Sequence, residues 1–317
     1  MSAAQATEGI DSLNWARLRA EALESIKTVN LPDDIQIPAL PQAVTEFAER
    51  AADPDAEIRD LALIVETSTG LTLELLKYAN SSLFGGVRPI HSVAGAIARI
   101  GINGAKTYLV AVGMKAASKA MESRLMNQRI AWNESLQKAL FARATARRLK
   151  MDEGLAFMGG LLQDFLLLAL TNRFDREYVR FLETDAREGR DLAEWEQQRF
   201  GWNHASAGAL VAHQWHFPDD LLCAIYYHHS LRDTLTNPDM EFFRLFPITL
   251  SGLLPDQLRQ SSRGMAELIS VDGRCRAMNL DELCMEVDAE QQQMADGMEI
   301  PQQLTGLLQE ARRVFSS

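Results

Sequence analysis

The sequence predicts an all-helical fold. Apolar residues recur at a spacing near 3.6 in one segment after another, which is the period of a helix with one buried face. The sustained alternation of apolar and polar residues that marks a half-buried strand is missing from the sequence. Gly, Pro, Asn and Asp residues, which end helices and form turns, separate the apolar segments. We therefore expect many helices joined by short connections.

The N-terminal half contains five predicted helices. They are Leu13–Val29, a helix that starts at Asp53-Pro54, Thr72–Asn80, Ile90–Ile100 and Ala105–Met121. Asp53-Pro54 has the pattern of an N-cap residue followed by proline in the first turn. Residues 80–86 are rich in Asn, Ser and Gly, which tolerate turns and left-handed conformations, so this stretch predicts a loop.

The C-terminal half continues in the same style without repeating the sequence. Its predicted helices are Ala131–Met151, Leu155–Asn172, Asp175–Glu188, Leu192–Phe200, His204–Trp215 and Asp219–His229. From Asn237 the pattern becomes irregular, since three prolines and a Ser-Ser-Arg-Gly turn interrupt it. Helices are predicted again at Leu280–Met294 and Gln302–Phe315.

Composition and charge exclude several classes of protein. The 317 residues include 32 basic and 43 acidic ones, so the net charge is −11, which disfavours binding to the phosphates of nucleic acid. The longest strong apolar run, Phe165 to Leu170, is far shorter than the roughly 20 residues of a membrane span. The N-terminal residues lack a secretory signal pattern, and three cysteines without Cys-x-x-Cys spacing indicate reduced thiols. We expect a cytoplasmic protein with no nucleic-acid or membrane partner.

A basic stretch, Lys138 to Lys150, is the local exception to the acidic balance. It contains Arg143, Arg147 and Arg148, and the first two lie one helical turn apart. The apolar residues around them recur at helical spacing, so we expect these arginines on the solvated face of an amphipathic helix.

Five of the six histidines lie between residues 204 and 229, which raises the question of a metal site. On one helix, His204 and His213 would lie about 180° apart at 100° per residue. The adjacent His228 and His229 are also expected to point in different directions, so at most one histidine from each helix can reach a common centre. Because a catalytic ion requires about three protein ligands, the histidine spacing alone predicts no metal site.

Several short motifs occur in an order that resembles the HDOD domain, the HD-related output domain of bacterial signalling proteins. The N-terminal ones are Ile37-Pro-Ala-Leu-Pro41, Tyr78-Ala-Asn-Ser-Ser-Leu-Phe-Gly85 and Ile90-His-Ser-Val-Ala-Gly-Ala-Ile97. The C-terminal ones are Ala156-Phe-Met-Gly-Gly-Leu-Leu-Gln-Asp164, Phe200-Gly-Trp-Asn-His204 and His228-His229. The resemblance implies an N-terminal helical extension (1–31), an HDOD domain (32–235) with an N-terminal helical lobe and an HD-like lobe, and a mostly helical C-terminal extension (236–317).

The HDOD family is related to metal-dependent HD phosphohydrolases but generally lacks their metal centre. In this chain Glu134 stands where such an enzyme has a histidine, and Gln163-Asp164 replaces the His-Asp pair. A neutral amide is a weak metal ligand compared with imidazole. Ser251 lies near the position of the last aspartate, whereas Asp164, His204 and His228 resemble ligand positions of relatives with larger metal clusters. The resemblance thus implies a vestigial site at these positions, with no metal and no cofactor.

The plain interpretation of the surviving polar residues is structural: Asp164 and His204 cap helices or pair buried polar groups. Asn80 and Ser81 would likewise close a helix and order the following loop. The functional interpretation is that Asn80, Ser81, Ser82 and Phe84 form an interaction loop, because loops commonly carry recognition residues.

The resemblance implies a non-enzymatic regulatory module that binds signalling proteins of a two-component or cyclic-dinucleotide pathway. One alternative is a metal-dependent phosphohydrolase in which Glu134, Asp164, His204 and His228 hold an atypical cation. A further alternative is a sensor that binds a nucleotide in the old pocket without cleaving it.

Overall fold

The computed structural model describes residues 3–35, 37, 40–51, 53, 55–81, 84, 88–118, 123–236, 243–294 and 302–315, and no strand occurs among them. The helices are α1 Ala3–Ile26, α2 Gln42–Arg50, α3 Ile58–Glu66, α4 Thr69–Ala79, α5 Val93–Ile100, α6 Ile102–Ser118, α7 Gln128–Leu149, α8 Glu153–Leu162, α9 Leu167–Arg173, α10 Asp175–Arg180 with a π-helical turn Phe181–Asp185, α11 Leu192–Phe200, α12 His204–Gln214, α13 Asp219–Tyr227, α14 Leu231–Thr236, α15 Phe246–Ser251, α16 Gly264–Arg274, α17 Leu280–Met294 and α18 Leu304–Phe315. The all-helical class that the apolar period predicts is confirmed.

The chain divides into two compact units. The larger unit consists of Met1–Gln36, Ser123–Val211 and Asp219–Ser317, and the smaller unit consists of Ile37–Glu122 and Ala212–Pro218. The segment boundaries expected at residues 31/32 and 235/236 stay predictions.

Helix α7 runs through the core of the larger unit, where it packs against α8, α15 and α17. Every residue from 136 to 146 is buried, so this helix has no solvated face over three turns. The expectation that the arginines lie outside is wrong for Arg143, which is 2% exposed, and Lys138 of the same stretch is also 2% exposed. The reason is that both have acidic partners: Arg143 pairs with the partly exposed Glu290 of α17, and Lys138 pairs with two aspartates of the site described below.

The predicted helix Leu155–Asn172 is two helices, α8 and α9, separated by a turn at residues 163–166. In this turn the backbone bonds span three residues, from Phe165 N to Leu162 O and from Leu167 N to Asp164 O. The apolar period continues through the break because both helices are core helices, so periodicity alone does not reveal the turn. The turn places the side chains of Gln163 and Asp164 among polar groups.

The stretch Glu153–Arg173 is long and apolar enough to cross a membrane, with a mean hydropathy of 1.6. However, 78% of its most apolar window is buried inside the protein. This burial is that of a core segment, as the packing of α8 against α7 requires.

Four helices, α2, α14, α15 and α16, lie where the sequence predicts none, and α3 begins later than predicted. Helix α2 follows Pro41, and α16 lies in the stretch interpreted as irregular, where it buries Leu268 and Val271. Asp53 does not cap α3, because its carboxylate accepts from Asp55 N in a local turn, and α3 begins after Glu57. Pro54 of this predicted cap is outside the described residues.

Candidate functional site

Asp164, in the turn between α8 and α9, is the centre of a buried polar cluster in the larger unit. Its Oδ2 accepts hydrogen bonds from Lys138 Nζ at 2.7 Å and from Gln163 Nε2 at 3.3 Å. Its Oδ1 lies 3.5 Å from His204 Nε2 and 3.4 Å from His228 Nε2. The side chain is 10% exposed. One carboxylate therefore joins an ammonium group on one side to two imidazoles on the other.

The ammonium group of Lys138 lies between two carboxylates. Its Nζ is 2.7 Å from Asp164 Oδ2 and 2.7 Å from Asp256 Oδ2, and Asp256 also accepts from Gln260 at 2.6 Å. Burial opposes the charged form of Lys138, but the two carboxylates outweigh it and raise the pKa of Lys138. Burial likewise opposes ionisation of Asp164, yet Lys138 and the neighbouring imidazoles hold the pKa of Asp164 well below its usual range.

Three imidazoles meet on the other side of Asp164. His204 Nε2 lies 3.3 Å from His228 Nε2 and 2.8 Å from His229 Nε2. The expectation that only one of the two adjacent histidines can reach a common centre is wrong. The reason is that α13 ends at Tyr227, so His228 and His229 lie in a turn, where the 100° helical step between neighbours does not apply.

Glu196 of α11 and Tyr178 of α10 orient His204 from behind. Glu196 Oε2 accepts from the backbone N of His204 at 2.8 Å and lies 2.6 Å from Nδ1, while Oε1 accepts from Tyr178 at 2.7 Å. Burial disfavours the imidazolium, but the carboxylates of Glu196 and Asp164 outweigh it and raise the pKa of His204 to about 9. Burial lowers the pKa of His228 and, more strongly, that of His229.

Gln163 and Ser251 form an uncharged bridge at the edge of this cluster. Ser251 Oγ lies 3.0 Å from Gln163 Oε1 and 2.7 Å from the carbonyl oxygen of Ile248. Its one hydroxyl hydrogen is shared between these two acceptors. Both residues are at most 1% exposed. A helix-terminal serine and an amide thus lie beside Asp164, and the carboxylate on this side of the cluster comes from Asp256, five residues beyond Ser251.

The structure separates Glu134 from the histidines. The ligand atoms of Asp164, His204, His228 and His229, which we call the four-donor cluster, all lie within 4.8 Å of one another, and Glu134 is not among them. Glu134 instead accepts a hydrogen bond from Gln257 at 3.3 Å. Burial, with the nearby charge of Asp256, raises the pKa of Glu134 to about 8.

The raised pKa of Glu134 predicts a pH-dependent stability. Between pH 4.5, the ordinary pKa, and about pH 8, the folded chain holds a proton that the unfolded chain releases, so the free energy of unfolding falls as pH rises. Glu134→Gln cannot ionise, so its advantage over the wild type is expected to grow from pH 5 to pH 8 in urea denaturation. Parallel stability curves for the two proteins would contradict this assignment.

Sequence reasoning missed Lys138, Asp256, Glu196 and His229. A usable signal existed for Lys138, because it lies four residues after Glu134 on α7 and hence on the same face of that helix. Glu196 lies within an ordinary helical pattern and Asp256 follows a proline in an irregular stretch, so neither carries a sequence signal of its role.

A cavity of about 530 Å³ lies beside the histidines in the larger unit. His228, His229 and Gly252 line its inner end, and Arg232, Glu267 and Arg274 are among its charged walls. A Cβ at Gly252 would meet the backbone oxygen of His228 at 2.9 Å, so this glycine permits the close approach of the chain behind the imidazole. His229 is partly exposed and joins the buried cluster to the cavity.

The predicted interaction loop belongs to the smaller unit. Its described side chains make contacts with the loop and its flanking residues. Asn80 Nδ2 donates to the carbonyl oxygens of Leu76 and Ile90, and Asn80 Oδ1 accepts from Ile90 N at 2.8 Å. Ser81 Oγ donates to Tyr78 O, and the Phe84 ring packs edge-on to Tyr78 at 5.0 Å. Ser82 is outside the described residues.

Asn80 is therefore expected to stabilise the smaller unit. Asn80→Ala removes three hydrogen bonds, two that join the end of α4 to Ile90 before α5 and one to Leu76 within α4, and we expect a loss of about 1–2 kcal/mol in the free energy of unfolding. Asn80→Asp keeps the acceptor but loses both donated bonds, so its stability should be intermediate. An Asn80→Ala protein as stable as the wild type in chemical denaturation would exclude this role.

The acidic side of the site, formed by Asp164 and Asp256, does not fit a hydrolytic metal centre of the kind found in HD phosphohydrolases. Its carboxylate oxygens, Asp164 Oδ2 and Asp256 Oδ2, are already paired with the Lys138 ammonium. Two anionic oxygens bound to a buried cation of the chain are not free to bridge metal ions.

Comparison with known proteins identifies the family to which the chain belongs. The family model of the HDOD domain matches residues 37–231. An uncharacterised protein from Treponema pallidum (strain Nichols) is 25% identical over 198 residues, which are 62% of this chain but only 38% of that relative.

Two crystal structures have a similar fold. One, from Shewanella amazonensis SB2B, is described as a candidate metal-dependent phosphohydrolase (16% identity, TM-score 0.57, 88% of this chain and 98% of that one). The other, from Marinobacter aquaeolei VT8, is described as a candidate signal transduction protein (21% identity, TM-score 0.53, 89% of this chain and 66% of that one). At these identities the likeness shows the fold alone. Because the family model matches more than half of the chain, this chain belongs to the HDOD domain family.

Proposed function

We propose that this protein is a non-enzymatic regulatory module of bacterial signal transduction that acts by binding. The observation that carries the proposal is the position of Lys138, whose ammonium group lies 2.7 Å from each of two buried carboxylates. In a metal-dependent hydrolase such carboxylates hold an ion that activates water. Here a side chain of the protein supplies the positive charge.

An ammonium group does not replace the chemistry of a metal ion. Its single positive charge offsets one of the two negative charges of Asp164 and Asp256, but an ammonium group has no vacant coordination position at which to bind water and lower the pKa of that water. Glu134, the other oxygen donor that the resemblance implies, lies outside the four-donor cluster. The pairing of both aspartates with Lys138 and the separate position of Glu134 oppose a hydrolytic centre.

The partners that we propose are cytoplasmic signalling proteins of a two-component or cyclic-dinucleotide pathway. The net charge of −11 disfavours phosphate-rich partners such as nucleic acid. The similarity in fold to a candidate signal transduction protein supports this class of function. A small ligand bound in the cavity beside His229 is a second way in which the protein would act by binding.

A second candidate function, metal-dependent phosphohydrolysis, is favoured by one specific observation. Asp164, His204 and His228 bring three donor atoms close together, and a protein of similar fold is described as a candidate metal-dependent phosphohydrolase. Glu134, which the resemblance adds to this ligand set, lies outside the four-donor cluster, and this position weakens the second candidate.

Hydrolysis assays separate the two candidates. The purified full-length protein, supplied in turn with Mn²⁺, Mg²⁺, Zn²⁺ and Fe²⁺, is tested on p-nitrophenyl phosphate, bis-p-nitrophenyl phosphate and cyclic di-GMP. We expect no turnover above that of His204→Ala. Metal-dependent turnover that His204→Ala abolishes would instead establish the phosphohydrolase.

Affinity capture of the native protein from its own cells, followed by mass spectrometry, tests the partner class. We expect reproducible recovery of a sensor kinase, a response regulator or a cyclic-dinucleotide protein. Thermal-shift screening with nucleotides tests the small-ligand form, since a ligand that binds only the folded chain raises its melting temperature.

A further inference from the structure

A second cleft in the larger unit is lined mainly by positive side chains. It has a volume of about 450 Å³ and is lined by residues of α10, of α11 and of the segment that joins these helices. Its charged walls are two carboxylates, Glu177 and Asp185, and four arginines, Arg176, Arg180, Arg190 and Arg199. No residue that lines this cleft also lines the cavity beside His229, so the two are separate.

The fold, and not a basic run in the sequence, collects these arginines. Residues 173–199 contain six arginines and eight acidic residues, so this segment is net acidic, as is the whole chain. Four of the six arginines line the cleft, whereas only two of the eight acidic residues do. The cleft therefore has an excess of two positive charges on a protein whose net charge is −11.

The excess charge belongs to the α10 side of the cleft. Both carboxylates of the cleft pair with arginines of the α11 side, at 3.0 Å for Arg190 and 3.8 Å for Arg199. Arg176 and Arg180 lie one helical turn apart on α10, and neither forms an ion pair with the residues that the structure describes. A phosphate monoester carries a charge of about −1.5 to −2 at pH 7, which matches this excess. Arginine also binds phosphate oxygens through two parallel N–H donors.

The rest of the cleft is large enough for an organic group. The nine residues of α11 span about 13 Å, and Arg190 and Arg199 lie near its two ends, so the cleft is longer than a single phosphate. Its volume of about 450 Å³ is typical of a small-molecule site. We propose that this cleft binds a small organic phosphate and that Arg176 and Arg180 hold the phosphate group.

Trp195 adds a neutral hydrogen-bond donor to the cleft. Its side chain lines the cleft, and the residue is only 6% exposed. Its indole N–H makes no hydrogen bond with the part of the chain that the structure describes, whereas a buried indole N–H usually has a partner. An oxygen or nitrogen acceptor of the bound ligand would satisfy this donor.

Buried contacts of the chain hold the walls of the cleft in place. Tyr178 of α10 donates a hydrogen bond to Glu196 of α11 at 2.7 Å, and Trp195 packs against the rings of Tyr178 and Phe200. A site that is already formed loses less conformational entropy when it binds a ligand. Glu196 also holds His204, so one buried carboxylate connects the walls of the cleft to the four-donor cluster.

The cleft is independent of the proposed function, because it is separate from the histidines and would bind its ligand in an enzyme or in a regulatory module alike. A single phosphate group is also compatible with the acidic balance of the chain. The net charge of −11 acts against a polyanion that lies across the protein surface, whereas one phosphate contacts only the cleft.

Calorimetric titration of the full-length protein tests the ligand class. The probes are AMP, ribose 5-phosphate, inorganic phosphate and adenosine, at about 0.15 M salt, which screens long-range attraction. EDTA is present, so that no cation at the four-donor cluster can bind the phosphate. We expect AMP or ribose 5-phosphate to bind with one equivalent per chain, inorganic phosphate to bind more weakly, and adenosine not to bind. Inorganic phosphate that binds as tightly as both organic phosphates would identify the free anion as the ligand and overturn the organic class. Absence of saturable binding by all the phosphates would overturn the whole proposal.

Variants locate the phosphate group. Arg176→Gln and Arg180→Gln are each expected to weaken binding of the organic phosphate by about 10–100-fold, because each removes charged hydrogen bonds. Arg180→Lys keeps the charge but loses the paired donors, so it should restore only part of the affinity. Arg187→Gln is the matched control, since Arg187 is an exposed arginine of the same segment that does not line the cleft. Wild-type affinity in both Arg176→Gln and Arg180→Gln would show that the phosphate lies elsewhere.

Arg232→Gln distinguishes this cleft from the cavity beside His229, because Arg232 lines only that cavity. Loss of binding in Arg180→Gln but not in Arg232→Gln supports the inference. Loss in Arg232→Gln alone would overturn it and would instead support a small ligand beside His229. Metal-dependent release of phosphate from AMP, measured without EDTA, would overturn the non-enzymatic function and leave the cleft assignment intact.

Discussion

Lys138→Met is expected to lower the free energy of unfolding by about 3–5 kcal/mol, because it leaves two buried carboxylates without their shared cation. Methionine has nearly the length of lysine, so the loss of charge dominates over any loss of packing. The ammonium group is 2.7 Å from both Asp164 and Asp256, and the lysine side chain is only 3% exposed. Urea denaturation at pH 7 gives the change directly.

The matched control is Lys27→Met in the same unit. Lys27 also pairs with a carboxylate, Glu24, but both side chains are mostly exposed, and an exposed pair contributes about 0–1 kcal/mol. Adding Asp256→Asn to Lys138→Met should recover part of the lost stability, since one uncompensated charge is removed. If Lys138→Met is as stable as Lys27→Met, the ammonium is not the cation that balances this site.

Gly160→Ala is the second change with a large expected effect. A Cβ at this position would lie 2.8 Å from the backbone oxygen of Lys138 and 2.9 Å from the Cα of Ala139. Both neighbours are backbone atoms of α7, so the added methyl group cannot be accommodated by rotating a side chain. Helices α7 and α8 must separate, and we expect a loss of about 3 kcal/mol, near the upper end for an overpacked core.

Gly273→Ala is the control for the glycine effect itself. Gly273 lies in α16, and a Cβ there would meet no atom within 4 Å. We expect this variant to be as stable as the wild type or up to about 1 kcal/mol more stable, because alanine favours the helix. Chemical denaturation of both glycine variants checks the prediction. A Gly160→Ala protein that behaves like Gly273→Ala would show that α7 and α8 do not cross so closely.

Much of the fold could be predicted because its helices bury apolar stripes at the helical period. The bounds of α7, Gln128–Leu149, differ from the predicted Ala131–Met151 chiefly because Asn127 caps the helix, accepting from Arg129 N and Ile130 N. The turn at residues 163–166 could not be predicted in this way, since core helices are apolar on both sides of the break. Its position depends on tertiary hydrogen bonds to Asp164 from Lys138, 26 residues earlier.

The site was less predictable than the fold. Resemblance to a family pointed to Asp164, His204 and His228, which the structure brings together, and to Glu134, which it places apart from them. The role of Lys138 depends on packing of α7 against other helices, which a basic run in the sequence does not reveal. The meeting of His228 and His229 depends on where α13 ends, and helix ends are the least certain part of any reading of periodicity.

The tethered ammonium of Lys138 has a consequence for how the protein responds to its surroundings. An ion taken up from solution leaves when its concentration falls or a chelator competes for it, whereas a covalently attached charge is present in every folded copy. The cation between the two aspartates is thus in place as soon as the chain folds, and its presence does not vary with cellular metal supply. Starvation for manganese, iron or magnesium would leave that half of the cluster unchanged.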